Sequence, residues 1–82
     1  MAKVTVPRQT ATIVSAGTAN DLILANGAGG DLALNTTDPS SAGAAITLGR
    51  FDSVVMSAGG AWAAAQWVAW SEVGTVVVVT EP

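Results

Sequence analysis

Asn26-Gly27-Ala28-Gly29-Gly30 is the strongest turn signal in this chain, and it stands between two short segments of alternating leucines. Glycine adopts positive φ without steric cost, so such a run interrupts both helix and strand. Before it, Leu22 and Leu24 share a face of residues 21–26, with Ile23 opposed. After it, Leu32 and Leu34 share a face of residues 31–35. A period of two marks a half-buried strand. The two segments are expected to pair as an antiparallel hairpin. A phosphate-binding loop is the other reading of so many glycines. It requires a following helix whose N-terminus meets the anion, and usually a lysine. Here a strand pattern follows and the loop holds no cation.

The same rhythm continues along the chain. Ile46 and Leu48 alternate with Ala45 and Thr47, Gly49-Arg50-Phe51-Asp52 turns, and Val54-Val55-Met56 is β-branched and apolar. Ala58-Gly59-Gly60 turns again, so Trp62 is expected on a strand, closing the core over a second hairpin. Thr75-Val76-Val77-Val78-Val79-Thr80 is the clearest strand. Its valines face both ways, so both faces need cover, one from the core and one from another subunit. Residues 9–15 form a further strand candidate, with Ala11 and Ile13 on one face, and residues 36–43 read as the longest loop. Residues 61–70 are ambiguous. Three alanines and the Trp67/Trp70 spacing favour helix. The segment is short, lacks a Ser, Thr, Asp or Asn cap, and sits between strands, so two short strands or one bent strand are expected.

About seven short strands and no helix predict an all-β class, a small antiparallel β-sandwich or jelly-roll-like barrel. Residues 9–82 form the single β-domain. Residues 1–8 carry Lys3, Pro7 and Arg8, and Val4 and Val6 alternate as in a short strand; proline denies a ladder donor, which suits an edge or an arm, and the stretch reads as an N-terminal arm reaching a neighbouring subunit.

Composition limits the chemistry. With no cysteine there are neither disulfides nor thiolate metal sites, and with no histidine the commonest metal ligand and general base are missing. The six carboxylates, Asp21, Asp31, Asp38, Asp52, Glu72 and Glu81, fall mostly at turns and strand ends, where they satisfy backbone groups. Asp38 alone cannot supply a calcium ion with its six or more oxygens. No catalytic, metal or cofactor site is expected. Three cations and a net charge of −3 argue against nucleic acid and against a basic membrane face. No apolar run approaches the roughly 18 residues of a membrane span, and nothing behind Lys3 resembles a secretory signal.

An 82-residue chain without cross-links has a marginal core. Only 11% of its residues are charged, and half are hydrophobic. Such a surface is prone to association, which points to a homo-oligomer. Trp62, Trp67 and Trp70 stand out: Trp62 as core, Trp67 and Trp70 as residues on opposite faces of a strand, one of them directed outward. Arg8, Trp67 and Trp70 are the candidate interface residues. A sugar-binding aromatic platform is the alternative use of the same tryptophans.

Ile46-Thr47-Leu48, a turn, Ser53-Val54-Val55-Met56 and Gly60-Ala61-Trp62, preceded by Thr12-Ile13-Val14, Leu22-Ile23-Leu24-Ala25-Asn26 and Leu32-Ala33-Leu34, resemble a pattern in small β-structured virion proteins of tailed bacteriophages. The resemblance spans about residues 10–80. The chain departs from the pattern at Gln66-Trp67-Val68-Ala69-Trp70, which is more aromatic, and in the undistinctive loop after Asn35. The resemblance implies a non-enzymatic structural protein assembled in a host cytoplasm into the virion. It would act as an oligomer, a trimer by preference, against a major capsid protein or another virion protein. Capsid decoration or cement, a fibre-associated carbohydrate- or receptor-binding module, and a tail component all stay open. A small intracellular interaction domain is the reading outside that family.

Overall fold

Residues 2–81 are described by the computed structural model, and they form eight strands in two four-stranded antiparallel sheets. The strands are β1 (Ala2–Val6), β2 (Thr12–Ser15), β3 (Leu22–Asn26), β4 (Leu32–Asn35), β5 (Ile46–Leu48), β6 (Ser53–Met56), β7 (Trp67–Trp70) and β8 (Thr75–Thr80). Helical turns α1 (Pro39–Ala42) and α2 (Ala61–Ala64) precede β5 and β7. The first sheet has the order β1-β8-β3-β6, and the second β2-β7-β4-β5.

The expected hairpins are absent. β3 pairs with β6 and β8, while β4 pairs with β5 and β7, so the glycine run carries the chain from one sheet to the other. β5 and β6 likewise lie in different sheets. Among the described residues, β4 and β5 are the one consecutive pair that shares hydrogen bonds. The cause lies in the side chains facing inward. Leu22, Leu24, Leu32 and Leu34 are all fully buried, and they bury as well from opposite sheets as from neighbouring strands. Asn26 then decides for crossing. Its amide group donates to the carbonyls of Gly30, Leu48 and Gly49 at 2.9, 3.2 and 3.2 Å, and its Oδ1 accepts from the Thr75 hydroxyl at 2.6 Å. That one fully buried side chain ties the end of β3 to the connection below it, to β5 and to β8.

One core cluster takes residues from all eight strands, including Val6, Val14, Leu22, Leu34, Leu48, Met56, Trp67 and Val77. Each fully buried Leu or Val contributes about 1.5–3 kcal/mol of transfer free energy. Residues 1–8, expected as an arm, supply an edge strand over Ala2–Val6: β1 pairs with β8 from Ala2↔Val79 to Val6↔Thr75, and Val6 is fully buried. Met1 lies outside the described residues.

Both helical turns correct the sequence expectation of loop and strand. In α1, Asp38 caps the N-terminus and Pro39 occupies the first turn, a standard pairing. Asp38 Oδ1 accepts from the Ser40 hydroxyl and the Ser40 N–H at 2.7 and 2.9 Å, and these bonds hold its carboxyl below its ordinary 3.8. A depressed carboxylate stabilises the fold in full above its unfolded value and stops doing so as pH falls through the folded one. The Ser40 amide shift is therefore expected to titrate with a midpoint below 3.8, as an NMR pH series would show. α2 has no side-chain cap at Gly60. Tertiary contacts hold it instead: Ala63 is fully buried, and its carbonyl accepts from the Thr18 N–H at 2.9 Å. The loop making that bond turns at Gly17, at φ +103°, where any side chain would strike the Ala64 carbonyl.

Candidate interaction surface

The three tryptophans occupy three different environments. Trp67 is fully buried at the centre of the core, and its indole N–H donates to the Trp62 carbonyl at 2.8 Å. It is therefore removed from the surface, contrary to its candidacy as an interface residue. Trp62 reverses the expectation of a core residue on a strand: it sits in α2, 57% exposed, and lies over Trp67 with ring centroids 5.5 Å apart and planes 24° from parallel. Trp70 ends β7 on the outward side opposite Ala33, half-buried. The Trp67/Trp70 spacing thus places one ring in the core and the other outside.

Arg8 is exposed and bridges to Ser71 in parallel, and the next residue, Gln9, donates its N–H to the Ser71 carbonyl at 2.8 Å. Arg8 and Trp70 therefore lie at the same end of the molecule, and Trp67 stands apart from both.

The outward side of the second sheet is partly covered by its own chain. α1 packs against β4 and β7 there, and Val68, which faces away from the core cluster, is buried. The first sheet has no such cover among the described residues. Lys3, Val78, Ala25 and Ser53 form one row across its outer side, and Thr80, Ile23 and Val55 form the next. Val55 is 62% exposed, and Ile23, Ala25, Val76 and Val78 are half-buried. Lys3, on the edge strand, is the single charge in these rows. Four strands about 4.8 Å apart span roughly 14 Å across this face.

The β5 and β6 edges diverge beyond their shared turn and leave an open cleft of about 480 Å³. Ile46, Val54 and Met56 form its floor from inward positions, with Ala45, Ser57 and Trp62 around it. A smaller cleft of about 280 Å³ lies between the opposite edges, β1 and β2, beside Glu81.

Most carboxylates perform structural tasks. Asp21 accepts from the Ala58 N–H at 2.7 Å, Asp52 from the Gly49 N–H at 3.0 Å, Glu81 from the Ser15 hydroxyl at 3.2 Å and Glu72 from the Gln9 amide at 3.0 Å. Among the described residues, no group of three or more His, Cys, Asp or Glu is placed to hold a metal ion. Sequence reasoning passed over Asn26, whose four side-chain partners become visible only once both sheets are assembled. Its place at the start of a glycine run marked a turn and nothing more.

Comparison with protein-family models, with curated proteins and with solved structures finds no match to this chain.

Proposed function

We propose that this chain is a non-enzymatic structural protein of a bacteriophage virion, a small β-sandwich that works as a homo-oligomer and decorates or cements the capsid. The observation that carries this reading is the uncovered outer face of the first sheet, with Ile23, Ala25, Val55, Val76 and Val78 and a single charge at its edge. A face of this composition is stable in water only at the expense of solubility, and covering it against a shell removes that liability. The edges of the second sheet offer less. β5 has three residues, and β2 is bulged between Ile13 and Ser15, both of which discourage strand addition.

Sedimentation velocity of the purified chain over a hundred-fold concentration range tests the oligomeric part. Self-association is expected; a lone monomer that stays soluble and heat-resistant at every concentration sinks the reading. Copy number per virion by quantitative gel then separates decoration, in the hundreds, from a fibre component present in few copies. The fibre reading as a carbohydrate-binding module draws on Trp62, exposed beside the β5–β6 cleft. The cleft is mainly apolar, with Ser57 its single hydroxyl, whereas a sugar needs several hydrogen-bonding partners. A tryptophan emission titration with glycans that produced a saturable shift would favour that module over cement.

A further inference from the structure

Phe51 is the largest exposed apolar side chain that the fold holds in a costly backbone conformation. It sits at the tip of the β5–β6 turn, 69% exposed, at φ +65°. A bulky non-glycine residue in the left-handed region is strained, and such strain persists where the surroundings enforce it. Here they do. The Phe51 N–H donates to the Asn26 carbonyl and the Asp52 N–H to the Gly49 carbonyl, at 2.9 and 3.0 Å. The Asp52 carboxylate folds back onto the Gly49 N–H, while the Arg50 guanidinium stacks 4.8 Å from the centre of the Phe51 ring. The turn thus presents an aromatic ring and a cation together, rigidly, to solvent.

The other end of the same two strands is the complement of this knob. The cleft of about 480 Å³ is lined by Ile46, Val54, Met56 and Trp62, and is large enough for a phenyl ring with a guanidinium beside it. One carboxylate lies close to it. The Asp21 carboxylate is held at 2.7 Å by the Ala58 N–H, in the turn whose Ser57 and Gly60 line the cleft. In a chain of net charge −3 with three cations, Arg50 is one of few groups able to meet that carboxylate favourably in another copy.

We propose that the Arg50–Phe51 turn of one copy seats in the β5–β6 cleft of a second copy, with Phe51 against Trp62, Val54 and Ile46 and Arg50 against Asp21. This rests on the homo-oligomeric reading above and names its self-contact. Knob and cleft are different surfaces, so the contact is head-to-tail: it closes into a ring where the rotation permits and extends as a filament otherwise. Val55 lines the cleft as well, and the rest of the outer face of the first sheet, with Ile23, Ala25, Val76 and Val78, stays free for the shell.

Sedimentation velocity of the full chain and its variants tests this, with circular dichroism confirming the fold of each. Phe51→Asn keeps the turn, because asparagine tolerates positive φ, and removes the ring. Its dissociation constant for self-association is expected to rise about ten-fold or more. Ala45→Arg, at an exposed cleft position, sets a positive charge against the incoming Arg50 and is expected to do the same. Mixed in equal amounts, F51N supplies an open cleft and A45R an intact knob, so the mixture is expected to form heterodimers that neither forms alone. Val78→Lys, on the outer sheet face, is expected to self-associate as the wild type does. An assembled wild type that F51N leaves unchanged, or that V78K dissociates while F51N does not, overturns the knob-and-cleft contact and leaves the oligomeric reading standing. A wild type that is monomeric throughout overturns both.

Discussion

Replacing Asn26 by alanine is expected to remove about 3–5 kcal/mol of stability, a large share of the about 4–12 kcal/mol that a domain of this size possesses. The side chain is fully buried, and its amide protons serve the carbonyls of Gly30, Leu48 and Gly49. Truncation takes their side-chain donor from the Gly30 and Leu48 carbonyls, while the Gly49 carbonyl keeps the Asp52 N–H, and each buried orphan costs about 1–3 kcal/mol. The Thr75 hydroxyl keeps the Ala28 carbonyl as a second acceptor, so its own loss is the smallest of the set. Asn26→Asp is the sharper probe. It is nearly isosteric, yet it faces three carbonyl oxygens with a group that offers at most one proton, so it should destabilise at least as much as alanine above pH 5. Urea denaturation followed by circular dichroism reads both midpoints. A loss under about 1 kcal/mol for either variant would show that Asn26 does not join the two sheets as described.

Trp67→Ala is expected to cost about 3–5 kcal/mol, the range for deleting a buried large aromatic. At about 4–8 °C per kcal/mol for a domain of this size, the melting temperature should fall by about 12–40 °C. Trp67 fills the centre of the core, and its N–H satisfies the carbonyl of Trp62 in α2. Trp67→Phe keeps much of the volume and loses that bond, and about 2 kcal/mol is expected. The two other tryptophans provide the internal comparison. Trp62→Ala removes a stacked but 57% exposed ring, and about 0.5–1.5 kcal/mol is expected. Trp70→Ala, half-buried on the outer side, belongs with Trp62 and not with Trp67. Thermal unfolding of the three alanine variants side by side should rank Trp67 far ahead. Equal shifts would contradict the placement of the three rings.

Local pattern made the strands and their inward faces legible. Leu22 and Leu24, and Leu32 and Leu34, share faces by alternation, and each pair is buried; the valines of β8 face both ways, and Val77 and Val79 are the buried ones. The failures are of two kinds. Consecutive alanines favour helix at α2, but four residues are too few for propensity to outweigh strand-like flanks, and α1 falls within a stretch that reads as loop. What secures α2 is the buried Ala63 and the Thr18 bond, and neither is a local property. Trp62 was misplaced for the same reason, since α2 rotates its ring out of the core that a strand would have turned it into. Of the candidate interface residues, Arg8 and Trp70 lie on the surface and Trp67 does not; a spacing of three on a strand separates two rings without saying which one is buried.

What the amino-acid order alone determined is the class: short alternating segments separated by glycine and polar turns, with no residues for disulfides. Which strand neighbours which was decided only in three dimensions. Alternation records that a side chain faces inward, and a segment buries it equally well beside its predecessor or across the core from it. The choice between hairpin and crossing fell to buried polar satisfaction, in which Asn26 finds carbonyls and a hydroxyl from the glycine connection, β5, the turn after it and β8 once the chain has changed sheets. No residue near Asn26 in the chain could supply that whole set, so its weight became visible only with both sheets in place.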